Sequence, residues 1–182
     1  MDGLIADTKR KLATEFKMKD LGMMQYFLGM EVWKNVDGIS LRQGYYVVEI
    51  LKGFEMMECK AMNTPIASNL KLLSDASSDS IDATMYHQMI GSLMYLMNMR
   101  PAICFAMNTL SQFLTDPRNV HLIVAKHILR YLRGTVDYGL KYDANQKINL
   151  EGYVDSYIWA GSAIDRKSTP GCCFSMGSGV IS

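Results

Sequence analysis

Arg100 to Thr135 reads RPAICFAMNTLSQFLTDPRNVHLIVAKHILRYLRGT, two apolar-striped segments with a Thr-Asp-Pro joint between them. In the first segment Ile103, Ala106, Met107, Leu110, Phe113 and Leu114 recur at helical spacing and form one apolar face. Asp116 stands as the expected N-cap of the second helix. Pro117 then takes the first helical position, where a missing N–H removes no intrahelical bond. Within that helix Val124, Ala125, Ile128, Leu129 and Leu132 gather on one side, with Lys126, Arg130 and Arg133 on the other and Gly134 as the stop. Three cations on one helix face suit tracking successive phosphates, but they equally suit a solvated face and a helix dipole. On these residues alone the solvated face is the preferred reading.

Working outward, Met89, Ile90, Leu93, Leu96 and Met97 carry the helical period back to Tyr86. Ahead of it the run Ser74 to Ser80, SDASSDS, is small, polar and acidic, a loop or linker and the best internal boundary. Tyr46, Val47, Ile50, Leu51 and Phe54 predict another short helix. Gln25 to Trp33 is rich in aromatic and apolar residues and predicts one strand, which turns at Val36-Asp37-Gly38 and returns over Ile39 to Arg42 as a hairpin. Leu4 to Phe16 predicts a surface helix. On the C-terminal side the pattern changes to short strands, Leu140 to Tyr142, Ile148 to Asp155 and Cys172 to Met176, and the sequence stops in what reads as another strand.

The 182 residues are 49% hydrophobic and 20% charged with a net charge of +1, which bounds the chain to one ordinary domain or two small ones. Near-neutrality excludes a globally basic nucleic-acid binder, so any such role rests on local clustering. Cys59, Cys104, Cys172 and Cys173 match no zinc or disulfide framework and read as thiols of a reducing compartment. The N-terminal residues lack the layout of a signal peptide, and no run approaches a membrane span. His121 and His127 fall on different helix faces without metal-ligand spacing. The many methionines read as core filling. Asp155 closes a strand, a position suited to a rigidly held metal ligand, yet the partner carboxylates such a site needs are not visible in the pattern. No glycine-rich phosphate loop or nucleophile elbow occurs.

Taken together, several runs resemble the C-terminal half of the reverse transcriptase and the start of RNase H in copia-type LTR retrotransposon Pol polyproteins. They are Phe16-Lys17-Met18-Lys19-Asp20-Leu21-Gly22, Tyr26 to Val32, Tyr86 with Gly91 to Leu96, Arg100-Pro101, Leu110 to Phe113, Ile128 to Thr135, Gly152-Tyr153 with Asp155-Ser156, Trp159-Ala160-Gly161 and Asp165 to Thr169. They follow the family's order over nearly the whole chain. The resemblance implies an α+β protein in which a β-hairpin and a helical thumb/connection segment precede a truncated RNase H-like β-sheet. Its expected divisions are residues 1–73 (end of the palm, primer-grip hairpin and following helix), 74–82 (polar linker), 83–139 (helical thumb/connection) and 140–182 (first strands of RNase H).

By the same resemblance Phe27, Leu28, Gly29, Met30 and Glu31 form a primer grip. Lys126, Arg130 and Arg133 then become contacts to primer-template or to an RNA–DNA hybrid. Asp155 would be the first RNase H carboxylate, catalytic and metal-binding in an incomplete site. The intact family uses Mg2+, which this fragment is not expected to hold tightly; the missing palm and RNase H segments are its expected partners, without a membrane. An intracellular setting, cytoplasmic or nuclear, is implied. The family's Tyr-Val-Asp-Asp-type polymerase box is absent here, and the remaining RNase H carboxylates are expected beyond Ser182. Asp155-Ser156-Tyr157-Ile158-Trp159-Ala160-Gly161-Ser162 carries one extra residue and lacks two carboxylates of the family run. Ala102 stands for the usual Asp, and Leu122 for a common Trp, as in a copy under relaxed constraint. The expected function is therefore that of a polyprotein fragment without independent catalysis. The alternatives are a non-catalytic binding module and, on the Arg130-Tyr131-Leu132-Arg133 match to R-x-L-R, a secreted effector.

Overall fold

A computed structural model of the protein describes residues 2–66, 78–155 and 171–181. In chain order these form α1 (Asp2–Glu15), β1 (Tyr26–Phe27), β2 (Met30–Asn35), β3 (Gly38–Arg42), α2 (Gly44–Gly53) and α3 (Ala83–Met94). A short 3-10 turn at Pro101–Ile103 leads into α4 (Cys104–Ser111), followed by α5 (Asn119–Gly134), β4 (Gly139–Asp143), β5 (Leu150–Asp155), β6 (Gly171–Met176) and β7 (Gly179–Val180). The architecture is mixed helix and sheet, as the sequence pattern predicts. Its antiparallel strands fall into two sheets, one ordered β1-β2-β3-β4 and the other β5-β6-β7.

The apolar stripe of α5 is the axis of the core. Ala125, Ile128, Leu129 and Leu132 are all fully buried, and they meet Val47 and Leu51 of α2, Met89, Ile90 and Leu93 of α3, and Ala106, Met107 and Leu110 of α4. The core is thus helical. By contrast, α1 leaves Leu4, Ile5, Leu12 and Phe16 exposed, so no described element covers its apolar side.

Tyr86 sits inside this core with no exposed surface and donates its hydroxyl to the Leu110 carbonyl at 3.0 Å. Burial pushes its phenol far above the ordinary tyrosine range, and burial likewise raises Tyr142. The stability held by a raised phenol is complete below the unfolded-state pKa of about 10 and is lost as pH climbs from there toward the folded-state value. Urea midpoints should therefore fall steeply above about pH 10, and Tyr86→Phe should make that fall shallower. An equal alkaline slope in both proteins would show that Tyr86 is not the group responsible.

Three sequence expectations change. Gln25 to Trp33 is not one strand: Leu28 and Gly29 take φ of 48° and 72° and fold the chain into a tight turn between β1 and β2. Two consecutive positive-φ residues give the turn whose twist matches a two-residue hairpin, and Gly29 makes it affordable sterically. Secondly, the N-cap of α5 is Arg118 rather than Asp116. Asp116 pairs instead with the Arg118 guanidinium at 2.7 Å, and the first-turn N–H groups find other acceptors, Asn119 on the Asp79 carbonyl and Val120 on Ser78 Oγ. That docking also structures the end of the expected linker, where Ser80 bridges Arg118 and Asp82 caps α3; residues 74–77 lie outside the described set.

The third change concerns β4. The pattern groups Leu140 to Tyr142 with the trailing strands, whereas Gly139 to Asp143 pairs in register with Arg42 to Gly38 of β3. Strand periodicity identifies a strand but carries no label for its partner. The two sheets then join where Tyr142 Oη donates to the Val180 carbonyl at 2.8 Å and the Asp143 N–H to Ser178 Oγ at 2.6 Å. Gly38 permits the β3–β4 pairing, since at its φ of 147° a Cβ would collide with the Tyr142 carbonyl. Gly38→Ala should cost roughly 2–3 kcal/mol in a urea titration, while Ser40→Ala on the same strand stays within about 0.5 kcal/mol.

Candidate nucleic-acid interface

The sequence-nominated hairpin residues divide into an outer and an inner group. Phe27 and Leu28 at the turn are 50% and 66% exposed, so they are presented outward. Glu31 is buried, and its carboxylate is occupied: Oε2 accepts from Arg42 Nε at 3.1 Å and Oε1 from the Tyr45 N–H at 2.9 Å. The second of these bonds satisfies an orphan donor in the first turn of α2, a capping role supplied from a neighbouring strand. Arg42 extends the network to Asp137 at 3.4 Å and stacks over the Trp33 ring with its guanidinium carbon 4.5 Å from the centroid. Met30 lies between the two groups, partly buried at the start of β2.

The α5 stripe is only partly open. Arg130 Nε donates to the Lys60 carbonyl at 2.8 Å and Arg133 Nε to the Met57 carbonyl at 2.7 Å. His127 Nε2 bonds the Thr64 carbonyl at 2.9 Å, and the Met62 N–H returns a bond to the Arg130 carbonyl at 3.2 Å. The segment after α2 is thereby strapped along the helix, which the helical spacing of the cations cannot foretell. Each arginine commits only one of its donors in these bonds, since a guanidinium carries five N–H groups. Lys126 is exposed and enters no ion pair or hydrogen bond among the described residues. No hydrogen bond or ion pair among the described residues joins this stripe to the β1–β2 turn.

Asp155 ends β5 opposite Gly171, but its side chain lies outside the described residues, as does the altered run from Ser156 to Ser162. Leu150, Tyr153 and Val154 of the same strand are exposed. Among the described residues no three His, Cys, Asp or Glu side chains come together as metal ligands. Also among the described residues, no helix is long and apolar enough to cross a membrane.

Residues 2–68 match the family profile described as reverse transcriptase (RNA-dependent DNA polymerase). An uncharacterized mitochondrial protein of Arabidopsis thaliana is 37% identical over 94% of this chain and 71% of its own length. The retrovirus-related Pol polyprotein from transposon RE1 of the same plant is 36% identical over 98% of this chain. The chain belongs to the reverse transcriptase family of copia-type transposon Pol polyproteins. It corresponds to only 12% of the RE1 polyprotein's length. A third relative, named secreted RxLR effector protein 161 in Plasmopara viticola, is 40% identical over 53% of the chain and 68% of its own length. No solved structure gives a significant match.

Within this reverse transcriptase segment the structure adds residues that periodicity passes over. Arg100 is 4% exposed and donates Nη2 to the Val136 carbonyl at 2.8 Å, tying the start of the 3-10 turn to the end of α5. Burial pulls its pKa down, against the opposing influence of Tyr131 and Asp137. Its Nε and the Oε1 of buried Gln43 have no hydrogen-bond partner among the described residues. Tyr95 donates its hydroxyl to the Leu28 carbonyl and so holds the turn itself. Both Arg100 and Tyr95 fall in matched runs, which was the only signal for them.

Proposed function

We propose that this chain is the primer-grip hairpin and thumb/connection portion of a copia-type reverse transcriptase, leading into the first strands of RNase H. In this reading it binds the backbone of primer-template or RNA–DNA hybrid and has no catalysis of its own. The observation that carries the reading is the β1–β2 turn, which exposes Phe27 and Leu28 while Glu31 anchors its base to Arg42 and α2. Asp155 is proposed as the first RNase H carboxylate, with Mg2+ as the metal of the assembled family enzyme. An intracellular setting follows from the nucleic acid it would bind.

The test is the salt dependence of binding to an RNA–DNA hybrid. Three phosphate contacts through Lys126, Arg130 and Arg133 predict a slope of log K against log salt of about −2.7. Lys126→Gln should reduce the slope by about 0.9 without moving the unfolding midpoint, because Lys126 makes no hydrogen bond or ion pair among the described residues. Binding with no salt dependence, or none at all, refutes the reading.

The effector-named relative favours a second reading, in which Arg130-Tyr131-Leu132-Arg133 acts as an R-x-L-R label. Geometry speaks against it. Leu132 is fully buried, the run lies inside α5, and both arginines hold the strap, so an extended receptor could not read it without unfolding the helix. Recovery of the chain from a secreted fraction would restore that reading.

A further inference from the structure

We propose that Tyr95 is a positioning residue that latches the β1–β2 turn onto the C-terminal end of α3 and thereby sets how the turn meets a nucleic-acid backbone. The inference rests on the binding role proposed above. It begins with the weakness of the hairpin: β1 is two residues long, on the edge of its sheet, and its register consists of Tyr26 with Glu31 and Phe27 with Met30. A two-stranded ribbon of that length has little stability of its own in water. Phe27 and Leu28 at the tip are half or more exposed and add little packing there. Something outside the hairpin must fix its direction.

Tyr26 of β1 meets Tyr45 of α2 edge-on with centroids 6.4 Å apart, and Tyr95 is the residue that reaches the turn itself. Its hydroxyl reaches across 67 positions of sequence to the Leu28 carbonyl, in the middle of the turn. Its ring lies against Gly29, where a Cβ would come within 3.2 Å of the Tyr95 oxygen and 3.3 Å of ring carbon Cε1. Glycine at this position thus serves the positive φ and the close approach of the ring together. The latch has its own support. Tyr46 of α2 packs edge-on against Tyr95 with centroids 4.9 Å apart and planes at 74°, and donates its hydroxyl to the Ser92 carbonyl at 3.3 Å. Turn, α2 and the end of α3 are therefore held at one point by two tyrosines, and Tyr95 touches the turn without adding a charge to it.

A neutral positioning residue has a signature different from a phosphate contact. In Tyr95→Phe, which keeps the ring but removes the donor, amide exchange at Leu28, Gly29 and Met30 should accelerate by about three- to tenfold, the loss of one net hydrogen bond. Hybrid affinity should fall by a similar factor, while the slope against salt and the global unfolding midpoint stay at the wild-type values. Faster exchange with unchanged affinity would overturn the positioning role, as would unchanged exchange in a variant that still binds. Failure of the wild-type chain to bind hybrid would instead remove the nucleic-acid reading, and the positioning role with it. A lowered salt slope in Tyr95→Phe would also overturn the proposal, since it would mean that charge contacts had been lost.

Discussion

Leu129→Ala is expected to lower the unfolding free energy by about 3–5 kcal/mol, the upper part of the range for a leucine truncated in a rigid core. Leu129 has no exposed surface and lies on the α5 stripe, against which α2, α3 and α4 all pack. Helices approaching from three directions cannot all move in to fill the space, so the lost transfer energy is joined by a cavity term. Against a total stability of about 5–15 kcal/mol for a domain of ordinary size, the variant stands near the edge of unfolding. Ile123→Ala, on the same helix but 59% exposed, should change stability by less than about 0.5 kcal/mol. Chemical denaturation with an unchanged m-value in both variants is the measurement; a loss under about 1.5 kcal/mol for Leu129→Ala would mean that the four-helix core closes over the gap.

Glu31→Ala should cost about 2–3 kcal/mol, because truncation strands partners that have little access to water. It removes one acceptor from Arg42, whose side chain is 28% exposed, and the other from the Tyr45 N–H at the start of α2. Glu31→Gln retains a carbonyl oxygen for one of the two and should cost about half as much. The comparison also separates two roles for a residue that resemblance places in the primer grip. An inward carboxylate predicts that hybrid affinity falls only as far as the turn loosens. If Glu31→Gln left stability intact and still abolished binding, the carboxylate would be a direct contact and the buried geometry would not describe the binding form.

Much of the fold was legible because amphipathic periods are strong, local signals. The stripe from Val124 to Leu132 marks the helix that becomes the core axis, and Met89, Ile90 and Leu93 mark the one packed on it. Turn chemistry was legible at Asp37-Gly38 but not at Leu28-Gly29, where leucine at positive φ is a rare choice that the Tyr95 contact sustains. The interface was legible in part. Exposure of Lys126 follows from its place on a polar helix face, whereas that of Phe27 and Leu28 depends on a turn that the strand pattern does not show. The inward turn of Glu31 does not, since a carboxylate at the start of a strand is by default assigned to solvent.

What the sequence by itself determined is the set of elements, their apolar faces and, through the matched runs, the family. Only the tertiary structure decided the partners. It put β4 beside β3, turned Glu31 inward onto α2, laid the Met57–Thr64 strap over Arg130 and Arg133, and set Tyr95 against the turn. The physical reason is one of range. Period and propensity are properties of neighbours a few residues apart, whereas these bonds join backbone groups and side chains 14 to 105 positions apart and are selected by which donors and acceptors packing leaves unsatisfied.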